Sequence, residues 1–256
     1  LKAVGESQQI PIAYYANNLG SLLTLLKVMQ AHRVKKIVFS SSCTVYGEPE
    51  FSPVTEQSPI QPATSPYGAT KQMCEYILQD AVKADQELSV TALRYFNPIG
   101  AHESALIGEV PYGTPQNLVP YLTQAAAGIR QKLQVFGNNY PTPDGTCIRD
   151  FIHVSDLAQA HLCALNHMFD SPSGWRVYNI GTGRGTSVKE LIDAFERATG
   201  VPVPFQYAPR RSGDIERVWA DAQLAEKELG WKSQKTLEET LLSAWRWQQH
   251  ITNLEK

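Results

Sequence analysis

The sequence predicts an α/β protein, with a doubly wound parallel sheet joined to a smaller, mixed α/β region. Three observations carry this reading. Apolar runs of strand length alternate with segments of helical periodicity, hydroxyl residues gather where the first such run ends, and beyond Asn97 the alternation gives way to short strands and loops. The bulk properties agree. A chain of 256 residues, 43% hydrophobic and 19% charged, has room for a sizeable core and is neither disordered nor fibrous in composition. With a net charge of -2 and scattered lysines and arginines it has no basic stripe, so nucleic acid and anionic membranes are not expected partners. No run approaches the roughly 18 consecutive apolar residues that span a bilayer, and the first residues do not form a signal peptide, so a cytoplasmic protein is expected. Cys43, Cys74, Cys147 and Cys163 lack CxxC spacing and histidine partners at metal-finger distances, which points to buried thiols and to no metal site.

Taken in order, Leu19, Leu22, Leu23, Leu26, Val28 and Met29 recur at helical spacing between Pro11 and about His32. Ile37, Val38 and Phe39 then make a buried strand over 36–40. A loop rich in Pro, Ser and Gly covers 43–66, and Met73, Tyr76, Ile77 and Ala81 place a helix over 67–83. Residues 89–96, alternating and β-branched, form the next strand. The first region is therefore 1–97. Region 98–256 holds a helix at 117–128, strands at 132–136, 149–154 and 176–180, and helices at 156–167, 187–199, 221–229 and 237–250, some of them returning to the main sheet. Ser187 with Glu190 reads as a capping box, Asp156 as a helix N-cap, and Gly230 as a helix stop.

The chemistry centres on Tyr67 and Lys71, four residues apart and so on one helix face, where an ammonium lies near a phenol. Ser40, Ser41 and Ser42 stand at the carboxyl end of the preceding strand, where parallel α/β sheets build their sites. A phenol with an ordinary pKa near 10 is a poor base at neutral pH, and nearby positive charge favours its ionised form. Tyr67 is thus the candidate general base, Lys71 the group that lowers its pKa, and Ser42 a hydroxyl that shares a hydrogen bond with the substrate oxygen.

Ser40-Ser41-Ser42-Cys43-Thr44-Val45-Tyr46-Gly47, Pro66-Tyr67-Gly68 with Lys71, and Leu93-Arg94-Tyr95-Phe96-Asn97-Pro98 resemble the extended short-chain dehydrogenases. Within them the chain is similar to the UDP-glucose 4-epimerase family. The likeness begins at Leu1-Lys2-Ala3-Val4-Gly5-Glu6-Ser7 and runs through Asn117-Leu118-Val119-Pro120-Tyr121, Arg149-Asp150-Phe151-Ile152-His153-Val154 and Arg210-Arg211-Ser212-Gly213-Asp214. The resemblance implies a Rossmann-type sheet of which only the carboxyl-side part is present in 1–97, the first half with its glycine fingerprint preceding Leu1. It also implies that the chain alone binds NAD poorly. By the same likeness Ser42, Tyr67 and Lys71 form the catalytic triad, and Leu1, Lys2, Asn17 and Phe96 join them in contacting NAD. Thr44 lies beside the sugar, and Asn97, Asn117, Leu118, Gln134, Phe136, Arg149, Arg211 and Asp214 grip the UDP-sugar. Val218 lines the sugar pocket, where its small side chain implies tolerance of a 2-acetamido group. A homodimer is the family expectation. Cys43, Cys147 and Asn18-Leu19-Gly20-Ser21 depart from the family pattern, which has Ala, often Gly, and Asn-x-x-Gly-Thr there.

The implied reaction is interconversion of UDP-galactose and UDP-glucose through a 4-keto sugar. The rivals are a nucleotide-sugar dehydratase or decarboxylase and a noncatalytic protein that kept the fold. A dehydratase carries Asp-Glu where Cys43, Thr44 and Val45 stand, and the intact Ser42, Tyr67 and Lys71 speak against a noncatalytic role. Gly181-Thr182-Gly183-Arg184-Gly185 sits between a strand and a helix, but its spacing misses G-x-G-x-x-G, and a structural turn into the capping box is the expectation.

Overall fold

The computed structural model describes residues 1–111, 113–211 and 213–254. Ser212, within the Arg210 to Asp214 motif, lies outside them. Up to the start of the second region the elements are α1 (Val4–Gln9), α2 (Pro11–Ala31), β1 (Lys36–Ser40), a 3-10 turn (Cys43–Tyr46), α3 (Pro66–Ala84) and β2 (Ser89–Tyr95). There follow β3 (Asn97–Ile99), α4 (Leu118–Ala126), β4 (Leu133–Phe136), β5 (Ile148–Arg149), β6 (Phe151–His153), α5 (Val154–Asp170) and β7 (Gly174–Ile180). The last are β8 (Thr186–Ser187), α6 (Val188–Thr199), β9 (Phe205–Ala208), β10 (Arg217–Val218), α7 (Gln223–Leu229) and α8 (Leu237–Leu254). These residues form two compact units. The first comprises Leu1–Phe96, Gln159–Ile180 and Ala220–Lys232; the second comprises Asn97–Ala158, Gly181–Trp219 and the chain from Ser233 on.

The first unit is a parallel sheet in the order β1-β2-β7, with Lys36 opposite Ser89 and Tyr95 opposite Ile180. β2 is its centre, buried from Ser89 to Arg94, as expected of a parallel strand covered on both faces. Pro66 starts α3, and the Ser65 hydroxyl accepts from Gly68 N at 3.1 Å, satisfying one of the free N–H groups of the first turn. The same helix turns Tyr67, Thr70, Cys74, Glu75 and Leu78 inward, at spacings of three and four. Leu22 and Met29 of α2 meet Cys74, Leu78, Leu88 and Val90 in one apolar cluster. Because α3 packs against that cluster, the catalytic candidates at its start are held by the core at its end.

The second unit gathers α4, α6 and α8 around Val119, Leu122, Leu191, Ile192, Phe195 and Leu241, with Leu133 and Val135 of β4 beneath them. The Phe195 and Trp245 rings meet edge to face at 5.8 Å. Its strands are short and pair as β10-β5-β8, β3-β6 and β4-β9.

Several expectations need correction. The strand expected over 149–154 is two strands, because Asp150 breaks it. Its buried carboxylate accepts from Thr182 N and Oγ1 at 2.8 and 2.7 Å and from Gly183 N at 3.2 Å, while its carbonyl accepts from Asn97 N. The same bonds absorb the turn of the 181–185 glycine segment, in keeping with its structural reading. Asp156 is not an N-cap: α5 starts at Val154, and the Asp156 carboxylate instead accepts from Gln234 N and Lys235 N, each at 3.0 Å. Ser187 does cap α6 through Glu190 N at 2.9 Å, but Glu190 completes no box, since its carboxylate pairs with Arg184 at 2.5 Å. Cys74 and Cys147 are buried, whereas Cys43 and Cys163 are only half-buried.

Candidate active site

In the first unit β1 delivers its serines to the start of α3. Ser42 is extended, at φ -158° and ψ 150°, and opens the 3-10 turn; its hydroxyl oxygen accepts from Thr44 N at 3.2 Å and Thr44 Oγ1 at 3.0 Å. Ser42 also stands beside Tyr67 and draws its phenol toward ionisation. Lys71, one turn along α3, donates from Nζ to the Ser40 carbonyl at 2.8 Å and stands 5.8 Å from the centre of the Tyr67 ring. Ser42, Thr44, Tyr67 and Lys71 thus come together as the motif spacing predicts.

The electrostatics differ from expectation. Burial is the largest influence on Tyr67 and pushes its phenol above the ordinary tyrosine value; the neighbouring Ser42 works the other way and does not offset it. Burial likewise pulls Lys71 below the ordinary lysine value. Lys71 therefore does not by itself bring Tyr67 into the neutral range.

Of the residues expected to meet NAD, Phe96 is buried after β2, with its N–H donating to Ile180 O at 3.1 Å. Leu1, Lys2 and Asn17 are exposed. Asn17 turns its amide to Asn18 at 3.0 Å, and Asn18 makes the longer-range links, donating to Leu1 O at 3.1 Å and Thr70 Oγ1 at 3.0 Å. Sequence reasoning missed Asn18, because nothing in the local pattern ties it to a threonine 52 positions on. Counted from Asn17, the segment Asn17-Asn18-Leu19-Gly20-Ser21 keeps the Asn-x-x-Gly spacing with Ser21 in place of Thr, so the expected departure reduces to that one exchange. The residues present fit the ribose part of a dinucleotide. Lys71 is half-buried at the carboxyl ends of β1 and β2 and has three donors, one of them directed at Ser40 O, which leaves capacity for a ribose diol.

In the second unit Arg149 and Val218 are direct partners in the β5-β10 ladder, and Arg149 Nη1 donates to Ile148 O at 2.8 Å. Val218 is buried. Arg211 makes a forked pair with Asp214, at 2.9 and 3.2 Å, and lays its guanidinium 4.6 Å from the centre of the Phe136 ring. Gln134 accepts from Gln206 at 3.2 Å, and Asn117, just before α4, donates to Glu109 at 3.1 Å. Leu118 opens α4 and packs on the core. Asn97 Oδ1 is buried and has no hydrogen-bond partner, and the same is true of the Tyr140 hydroxyl.

Residues 1–181 match the model of the NAD dependent epimerase/dehydratase family. The chain is 54% identical to UDP-glucose 4-epimerases of Yersinia enterocolitica and Bacillus subtilis, in each case over 99% of this chain and 74% of the relative. The chain belongs to the NAD-dependent epimerase/dehydratase family. A crystal structure of the UDP-glucose 4-epimerase from Bifidobacterium longum in complex with NAD+ and UDP superposes with a TM-score of 0.95 at 52% identity, covering 99% of this chain and 75% of that one. Membership of this family accounts for the Rossmann-like α/β fold.

Proposed function

We propose that this protein interconverts UDP-galactose and UDP-glucose with NAD as cofactor, through a 4-keto sugar. The observation that carries the reading is the Ser42, Tyr67 and Lys71 cluster in a chain 54% identical to UDP-glucose 4-epimerases. NAD, when bound, accepts and returns the C4 hydride, and its cationic ring favours an ionised phenol. Tyr67 takes the proton from the sugar 4-hydroxyl and returns it to the same oxygen once the 4-keto sugar has turned its other face to the hydride donor. Ser42 donates to the oxygen that changes order, and Lys71, fixed by Ser40 O, holds the ribose. Because the phenol is buried, proton transfer proceeds away from bulk water. Leu1, Lys2, Asn17 and Phe96 complete the cofactor contacts in this reading.

For the nucleotide-sugar, Arg149 and Arg211 supply forked donors for the diphosphate, Phe136 packs on the uracil, and the unpaired Asn97 Oδ1 takes a donor from the ligand. Thr44, Asn117, Leu118, Gln134 and Asp214 complete the contacts. Val218 lines the sugar pocket, and its small side chain gives some tolerance for N-acetylated sugars.

The protein is further proposed to be cytoplasmic and homodimeric. No helix among the described residues is long and apolar enough to cross a membrane. The dimer reading rests on exposed Leu23, Leu25 and Val28 on α2 and Met73 and Tyr76 on α3, two helices packed together.

The test is product analysis by NMR after incubating UDP-galactose with the protein at its natural termini and with NAD. UDP-glucose at equilibrium without net NADH supports the reading. A 4-keto-6-deoxy product, or none from folded protein, overturns it.

A further inference from the structure

Tyr67, Lys71 and Glu75 follow one another at a spacing of four and so share one face of α3. Each holds a different residue of the strand end. Lys71 Nζ donates to Ser40 O at 2.8 Å, the Ser41 hydroxyl donates to Glu75 Oε1 at 2.5 Å, and Ser42 stands beside Tyr67. Glu75 is anchored in turn by Arg94 of β2, whose Nε and Nη2 reach its two carboxylate oxygens at 2.9 and 2.6 Å. Arg94 Nη1 then donates to the Tyr46 hydroxyl at 3.1 Å, and Tyr46 donates to Asn179 Oδ1 at 2.6 Å. Tyr46 ends the 3-10 turn that starts just after Ser42. The residue before Ser42 and the turn after it therefore end on the same ion pair.

That pair is almost wholly removed from water, with Arg94 4% and Glu75 2% exposed. Such pairs are weak sources of net stability, since apolar residues of similar volume often serve as well. Apolar residues, however, could neither accept from Ser41 nor donate to Tyr46. We infer that Glu75 is a positioning residue: acting through Ser41 and Arg94, it sets the strand end that carries Ser42 against Tyr67. The kinetic part of this inference rests on the proposed epimerase reading; the geometric part does not.

Ser41→Ala is the discriminating variant, because it removes one bond and leaves the Arg94 to Glu75 pair intact, so the protein folds. The expected result is a kcat about tenfold lower, the loss that one charge-assisted hydrogen bond implies, with KM for UDP-galactose within about twofold. The ascending limb of the pH profile should move to higher pH. Ser42 is what lowers the phenol against burial, and a misplaced Ser42 lowers it less. Independently of turnover, the Tyr67 ζ-carbon resonance of 13C-tyrosine-labelled protein, assigned with Tyr67→Phe, should shift in Ser41→Ala. An unmoved resonance together with a pH profile superimposable on that of the parent protein overturns the inference. Absence of conversion by the parent protein with a shifted resonance overturns only the epimerase reading.

Discussion

The first unit holds its proton-transfer candidates and the second its exposed polar candidates in opposite ways. In the first, Ser42, Tyr67 and Glu75 are buried and tied between a strand end and a helix face by bonds of which several are to charged groups. In the second, Arg211, Asn117 and Gln134 are exposed or half-exposed and pair with neighbouring side chains. The difference matches the tasks proposed for them. Proton transfer demands fixed heavy-atom distances and exclusion of water, whereas gripping a charged nucleotide needs side chains that can exchange one partner for another.

The sharpest way to break this comparison is to cut one ion pair in each unit. Glu75→Gln leaves Arg94 buried without a charge partner and is expected to cost about 3–5 kcal/mol of stability, measured by urea unfolding. Arg211→Gln, at an exposed pair, should change stability by less than about 1 kcal/mol. It should nonetheless raise KM for UDP-galactose about tenfold or more, as loss of a charge-assisted contact with the diphosphate requires. Equal stability losses would show that the two pairs are not the different devices described. The smallest expected effect belongs to Val218→Tyr, which should lower turnover of UDP-N-acetylgalactosamine relative to UDP-galactose by several-fold, about 1 kcal/mol of crowding. An unchanged ratio would remove Val218 from the sugar pocket.

Much of the first unit was legible because its cues are local. Ile37 to Phe39 announce β1, the helical spacing of Met73, Tyr76, Ile77 and Ala81 announces α3 although Met73 and Tyr76 are exposed and the inward face runs from Tyr67 to Leu78, and the Tyr67 and Lys71 spacing locates the chemistry. Glu75 was in reach of the same rule of four and went unread. The second unit was less legible because its two-residue strands β5, β8 and β10 exist only through pairing across long stretches of chain, as with Arg149 and Val218. Asp150 and Asp156 illustrate the same point. Each looked local, one a strand residue and one a cap, yet each directs its carboxylate to backbone far along the sequence. The pKa of Tyr67 also escaped the sequence, since burial outweighs the neighbours that the motif supplies.

The central claim, that Tyr67 is the proton-transfer group of an epimerase, is tested most directly by Tyr67→Phe. Conversion of UDP-galactose to UDP-glucose should fall about 10²- to 10⁴-fold while the thermal midpoint and UDP affinity stay close to those of the parent protein. A folded Tyr67→Phe protein that converts the sugar at the parent rate would contradict the account.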